Sequence, residues 1–457
     1  MQSGCLEMNS KPKRSTFRSR YEEMMITLKN EIIASIWEEG SFLPSENDIA
    51  ERFQLSKNSV RKGLDLLASE HFIEKIPRVG NRVRKAPAGT VIKLGYYPSM
   101  IKEAHIYDLV EEFHKRHPLI RVHMIPMPHS HTKPTMKDYM ESDQIDVMTI
   151  NNYNVELFAR PGGPPDLLEP QAFHEGVYPV LTEPFTFDGT LYVQPFMFSP
   201  VILCYNKDHF TENGVPEPDS GWTWDTVKKA AHQLSTGKNR YGFFFHLLSD
   251  NRWPVFLLQN NVVFNRGTDR GRNLELDSSS LKESFRTLID LSEDVFPPFL
   301  SENDHDVDML FRQQKVSMIL TSYFFLNMIE DVDFSYDISP LPYQGTPKTM
   351  VIVIGLAVNK HSKHKQAAQT FVDFMLSHET QLKLRQHTLS LPSLKSAAEW
   401  NGPVRVKQPD RFFIFRETFP TFSYHTALNV TYSELEEIRQ NMKLYLSKME
   451  GIQIFSR

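Results

Sequence analysis

The sequence predicts a chain of the α/β class built in two parts: three helices and a β-hairpin at the amino end, then a much longer α/β body. Two observations carry this. Apolar residues recur at helical spacing between Tyr21 and Leu67, interrupted twice by serine-led helix starts. From Val91 onward, strand-like runs (Val91 to Tyr97, Ile120 to Ile125, Ile145 to Ile150) alternate with a helical one marked by Ile106, Leu109, Val110 and Phe113. Such alternation implies a mainly parallel sheet covered by helices.

Taken in order, Tyr21, Met25, Leu28, Ile32 and Ile36 line one face of a first helix, which Gly40 stops. Pro44 and Ser45 open a second helix. Ser45 and Asp48 are spaced so that the serine oxygen accepts a backbone N-H three residues on. Ser56 caps a third helix that turns Val60, Leu64 and Leu67 inward. Phe72 to Ile76 and Arg82 to Arg84 then alternate as strands would, around the turn formers of 77–81.

This is a helix-turn-helix with a wing, and its charges point to DNA. Lys57, Asn58, Arg61 and Lys62 project together from the first two turns of the third helix, the part that enters a major groove. Arg61 is assigned to base readout, because a guanidinium pairs bidentately with the guanine edge; Lys57 and Asn58 serve a base or a phosphate. Ser45, Arg52, Ser56 and Ser59 are placed for phosphates. Arg78, Gly80 and Arg82, with Arg84, make the hairpin a basic wing. For any one residue the bland reading is a solvated cationic face, and their joint spacing argues against it.

Residues 20–85 resemble the winged helix of the GntR family of bacterial regulators, whose L-P-S-E, I-A, S-x-x-T-V-R and G-x-G-x-x-V pattern is nearly all present. Lys57 stands where that family has arginine, Ser59 where it has threonine, and His71 where glycine often ends the third helix. The wing has one glycine rather than two. These departures bear on which operator is read. The resemblance implies a homodimer on inverted half-sites of double-stranded DNA. Charge agrees: residues 11–85 hold 15 Lys and Arg against 11 Asp and Glu, in a chain of net charge -5.

At 457 residues the chain has room for several domains. The division expected is a tail (1–19), the winged helix (20–85), a linker (86–90) and the body (91–457). The first 20 residues are polar and basic with no apolar run of signal-peptide length, and no stretch is long and apolar enough to span a bilayer. The expectation is a cytoplasmic protein without a membrane partner. The two cysteines suit that: Cys5 as a free thiol on a tail and Cys204 as a core residue. No cofactor or catalytic residue is expected, since neither a nucleophile elbow nor a phosphate loop is present. His123, His129 and His131 crowd one loop without the spacing of a metal site. Glu302, Asp304, Asp306 and Asp308 read as an acidic helix start rather than a calcium loop.

Three stretches of the body resemble solute-binding proteins that deliver oligosaccharides to membrane importers. They are FDGTLYVQPF with ILCYNKDHF, NGV and GWTWD; VSMILTSYFFL; and VIVIGLAVNKHSKHKQAAQTFVDFMLS. The resemblance implies a two-lobed, type II periplasmic-binding-protein-like α/β fold. Lobe I would take about 91–194 and 355–398, lobe II about 198–350 and 399–457, with hinges near 194–199 and 350–354. A sugar needs flat aromatic platforms beside fixed polar groups. The resemblance places Trp253, Tyr323 and Phe324 at the cleft, with Tyr97, Asn151, Asn152 and Ser322 as polar contacts; the bland reading of these rings is core. Trp222 and Trp224 fit a helix staple better.

The expected function is therefore a ligand-responsive regulator, with repression favoured over activation, that senses an imported sugar and controls genes for its uptake or breakdown. Two alternatives stand beside it. One is a GntR-type regulator whose body binds a non-sugar solute or is an aminotransferase-like sensor holding PLP, though no convincing Schiff-base lysine is found. The other is an exported, lipid-anchored receptor, which would leave residues 20–85 without a use.

Overall fold

The structure is a computed structural model that describes residues 14–85, 88–127, 138–158, 164–237, 239–266, 274–275, 278–294, 301–451 and 454. It divides into two compact units, Met1–Lys93 with Tyr107–His123 and Leu94–Ile106 with Met124–Arg457.

The first unit begins with helix α1 (Arg14–Ile33), then α2 (Glu46–Phe53), α3 (Lys57–Ser69) and the antiparallel hairpin β1 (Ile73–Ile76) and β2 (Gly80–Val83). Met24, Leu28 and Ile32 of α1 meet Ile49 of α2, Val60, Leu64 and Leu67 of α3 and Phe72 and Ile73 in one buried core. The helices touch closely at Gly63, where an added Cβ would lie 2.4 Å from the Met24 Cε. Residues 40–43 run beside β2: the Gly40 N-H donates to Val83 O at 2.9 Å and the Leu43 N-H to Asn81 O at 2.9 Å. The first helix is shorter than its apolar stripe suggests. The chain leaves it after Ile33, Ser35 takes φ +56°, and Ile36, expected on the buried face, is 65% exposed. A left-handed residue rotates everything after it off the helical stripe, so the periodicity outlives the helix.

Strand β3 (Thr90–Tyr96), helix α4 (Ile106–Arg116) and strand β4 (Ile120–Pro126) follow, then β5 (Val147–Asn151), the long β6 (Gln194–Asn206), α5 (Trp224–Leu234), β7 (Tyr241–Phe244), α6 (Pro254–Gln259) and α7 (Asp304–Arg312). Strands β8 (Val316–Ser322), β9 (Tyr336–Ser339) and β10 (Thr349–Val358) and helices α8 (Lys365–Met375), α9 (His378–His387) and α10 (Tyr432–Leu446) complete the elements used below. The sheet runs β4-β3-β5-β10-β6-β8-β7, with β9 also on β6. β3 and β5 are parallel, but β10 lies antiparallel to both β5 and β6, and β8 and β9 antiparallel to β6, so the described pairings are mostly antiparallel and not the mainly parallel set that the alternation implies.

β6 is buried along its whole length and changes partners midway. Its first half pairs with β10 up to Pro200 opposite Val351; its second half pairs with β8 from Val201 opposite Ser322. A proline cannot donate to a ladder, and Pro200 sits where the ladder changes hands. Cys204, expected in the core, is fully buried on β6.

Local signals account for the helix starts. Thr223 caps α5, its side chain accepting from Thr226 N. Asn303 caps α7 in a reciprocal box with Asp306, which turns the acidic run into a helix start. Among the described residues no helix is long and apolar enough to cross a membrane. His129 and His131, Cys5 and part of the expected linker lie outside the described residues.

Candidate functional site

The candidate DNA-reading face is assembled by two caps. Ser45 accepts from Asp48 N at 3.3 Å while its own N-H donates to Asp48 Oδ2 at 3.1 Å, which fixes the start of α2. Ser56 accepts from Ser59 N at 3.2 Å, and the two hydroxyls lie 2.8 Å apart, which fixes the start of α3. Because Val60 and Leu64 bury, Lys57, Asn58, Arg61 and Lys62 are all exposed on one side of α3, with Ser59 half-buried at its edge.

Three arginines of the first unit are held by carboxylates. Arg61 Nη2 lies 2.8 Å from Glu46 Oε2 and its Nε donates to Oε1 at 3.3 Å, so a carboxylate of α2 holds the recognition-helix guanidinium by both sides of its fork. This hydrogen bond keeps the Glu46 carboxyl below the usual carboxylate range. Arg52 is paired with Glu31 at 2.5 Å, and Arg82 with Glu74 at 2.5 Å. In the wing, Arg78 takes φ +67° and Gly80 φ +145°, a region that only glycine adopts without strain. A Cβ on Gly80 would also come 3.3 Å from the Phe42 ring.

In the second unit, strand ends deliver the expected solute residues other than Trp253, and all of the set but the half-buried Asn151 are buried. Tyr97 follows β3. Its hydroxyl accepts from Asn154 Nδ2 at 2.8 Å and from Asn151 N at 3.3 Å, and burial pushes its pKa up to about 12. Asn151 ends β5 and turns the chain: its Oδ1 accepts from Tyr153 N at 3.1 Å and Asn154 N at 2.8 Å. Asn152 Oδ1 accepts from Val353 N of β10 at 2.9 Å. Ser322 ends β8; Tyr323 donates its hydroxyl to Phe412 O at 2.7 Å, and the Phe324 N-H donates to Ser199 Oγ of β6 at 3.1 Å. Trp253 opens α6 and is 1% exposed.

The hydrogen bonds therefore gather Tyr97 with Asn151, and Tyr323 with Phe412. Most polar atoms of the set are committed to the protein. Trp253 Nε1 and Asn152 Nδ2 are buried with no hydrogen-bond partner among the described residues.

A second cluster connects distant segments and was not foreseen from the sequence. Tyr153 and Glu156, just after β5, meet His425, Tyr432 and the start of α10. His425 Nε2 lies 2.7 Å from Glu156 Oε1, and the Tyr432 N-H donates to Glu156 Oε2 at 2.9 Å. The Tyr153 ring stacks on His425 at 5.2 Å, with Tyr432 tilted at 5.7 Å. The Tyr432 hydroxyl donates to Asp250 Oδ2 at 3.0 Å, and Arg439 lies 3.5 Å from Asp250, three residues before Trp253. Burial, with the Asp250 charge beside it, raises the Tyr153 hydroxyl well above its ordinary range. The nearby Arg252 is buried, donating to Leu320 O at 3.2 Å. No element of this cluster carries a motif.

Comparison with known proteins follows the same division. Residues 97–382 match the family described as "Bacterial extracellular solute-binding protein", and residues 20–83 match "Bacterial regulatory proteins, gntR family". Among curated relatives, the binding protein BAB2_0491 of Brucella abortus is 25% identical over 47% of this chain and 54% of its own length. The sn-glycerol-3-phosphate-binding periplasmic protein UgpB of Brucella melitensis is 28% identical over 46% of this chain and 51% of its own. The chain thus spans about half the length of the curated relatives it matches. Two solved structures show the fold: a maltose-bound MalE3 of T. maritima (TM-score 0.68, 18% identity, 80% of this chain and 98% of that one) and an ABC substrate-binding protein from Listeria monocytogenes in complex with cycloalternan (TM-score 0.65, 21% identity, 79% and 99%). The chain belongs to the bacterial extracellular solute-binding protein family, and it carries at its amino end a domain of the gntR family of bacterial regulatory proteins.

Proposed function

We propose that the chain is a transcription regulator that senses an imported sugar or oligosaccharide and represses the genes for its transport and breakdown. It acts in the cytoplasm, as a homodimer on inverted operator half-sites. The observation that carries this reading is the pairing on one chain of an exposed Lys57, Asn58 and Arg61 face with a solute-binding-protein fold. Solute binding changes DNA affinity only as far as the solute prefers one of two states, and the coupling is reciprocal. The solute site is assigned to the ends of β3 and β5, Trp253 and the Tyr153, His425 and Tyr432 cluster. Trp253 Nε1 and Asn152 Nδ2 are the donors offered to solute hydroxyls. No chemical step and no cofactor is part of the proposal.

A second reading, a phosphorylated polyol as the solute, is favoured by several relatives that are sn-glycerol-3-phosphate-binding proteins. One experiment separates the two. The full chain is used to select duplexes from a random pool, and retention of the selected duplex is measured with maltose, maltotriose or glycerol 3-phosphate added. Release by a saccharide supports sugar sensing; release by glycerol 3-phosphate alone moves the assignment to the second reading. Failure to enrich any duplex would rule out a DNA-binding regulator.

A further inference from the structure

The first unit contains a piece that the sequence assigns to the solute-binding part. Residues Tyr107–His123, most of α4 and the start of β4, group with the winged helix in one compact unit, although β4 is also the edge strand of the large sheet. Leu119 is half-buried against the core formed by Met24, Leu28, Leu64 and Phe72. Asn30 Nδ2 on α1 donates to Lys115 O at the end of α4 at 3.1 Å. The Thr90 N-H donates to Leu119 O at 2.7 Å, and a Cβ on Gly89 would lie 3.3 Å from that same oxygen, so the backbones approach closely.

The contact continues into the recognition helix. Lys29, beside Asn30, lies 2.5 Å from Glu70 at the end of α3 and over the Phe72 ring at 5.6 Å. On the α4 side, His117 stacks on Phe113 at 4.7 Å. Burial, with the Lys29 and Arg116 charges nearby, lowers its pKa. Further along α1, Met24 and Met25 press on Gly63 of α3. α1 thus touches α4 on one side and α3 on the other.

We propose that α4 and the start of β4 are a working part of the DNA-reading body, and that engagement of α3 by DNA and the state of residues 113–120 are coupled through α1. The inference rests on the proposed DNA-binding regulator. It places the coupling in packed side chains of α1 rather than in residues 86–90. A short tether transmits little by itself, whereas close-packed helices move as one piece.

The test uses the full chain in two arms, both read by hydrogen exchange. Without DNA, Leu119→Asp and the milder Asn30→Ala are compared with the parent chain. The expected result is exchange about tenfold faster in α1 and α3 for Leu119→Asp, and a smaller change of the same sign for Asn30→Ala, with β6 unaltered. Parent-like exchange of α1 and α3 in both variants overturns the proposal. In the second arm, the duplex selected from the random pool is added to the parent chain, and amides 113–120 are expected to slow at least about threefold. A retained duplex with no change at 113–120 overturns the coupling while leaving DNA binding intact. A chain that retains no duplex sinks the regulator reading and the coupling together, and the first arm still decides whether α4 belongs to the body.

Discussion

Arg61 of the recognition helix and Glu46 of the helix before it hold each other in a two-point ion pair, Nη2 to Oε2 at 2.8 Å and Nε to Oε1 at 3.3 Å. In the proposed complex with DNA, Arg61 is the residue suited to read a guanine, and DNA must tolerate or displace the carboxylate that orients it. Arg61→Ala is expected to weaken binding to a selected operator by about 1 to 3 kcal/mol. Glu46→Gln removes a negative charge from a face that meets a polyanion and frees the fork. It should strengthen binding to unrelated duplex and narrow the ratio of specific to non-specific affinity. Fluorescence anisotropy across a salt series checks both, and a Glu46→Gln protein with unchanged non-specific affinity would refute the second.

The two serine caps carry the geometry of that face. Ser45→Ala and Ser56→Ala should each cost about 0.5 to 2 kcal/mol of winged-helix stability, the range for losing a side-chain cap. Denaturant unfolding followed in the first unit measures it. Loss in Ser45→Ala should be at the upper end, because that serine takes part in a reciprocal box with Asp48.

Asp308 gives the chain a pH signature. Burial first and the Asp304 charge second push its carboxyl up to about 8, against the pull of Arg252. The folded state therefore keeps a proton that the unfolded chain gives up near 3.8, the ordinary value. The stability tied to that proton is full below the unfolded value and drains away as pH rises through about 8. Asp308→Asn, which stays neutral, should gain in melting temperature relative to the parent as pH rises from 5 to about 8.5. Parallel pH profiles for the two proteins would show that Asp308 is not the source.

Gly242 on β7 leaves no room for a side chain. A Cβ there would lie 2.0 Å from Ala231 O and 2.4 Å from Ala231 Cα, both backbone atoms of α5. Gly242→Ala must push the helix off the sheet, a cost of about 1 to 3 kcal/mol or more. A thermal melt of the full chain should show the loss in the second unit, and an unchanged melting temperature would contradict the packing.

The parts of this molecule that were legible in advance are those fixed by neighbours in sequence. Ser45, Ser56 and Thr223 declare helix starts because a cap acts within three residues, and Lys57 and Arg61 share a face because helical spacing puts them there. Arg61's partner was not legible, since nothing local says that Glu46 of another helix turns toward it. The same holds more strongly in the second unit. Tyr97 and Asn151 come from different strands, and Glu156 meets His425 and Tyr432 from far along the chain. Which carboxylate, ring and imidazole converge is decided by topology. Ile36 shows the opposite failure: its spacing fits the first helix, but one left-handed residue at Ser35 carries it into solvent.

Strand β6, shared between β10 in its first half and β8 in its second, makes the two halves of the sheet thermodynamic dependents of one another. Pulling β6 out of either half exposes a fully buried strand in both, so an intermediate with one half intact has little to recommend it. The two halves are expected to melt together as one cooperative block, and a substitution near Pro200 should be felt equally by spectroscopic probes placed on β5 and on β7. In the proposed solute sensor, any opening must therefore bend this strand rather than break its ladders.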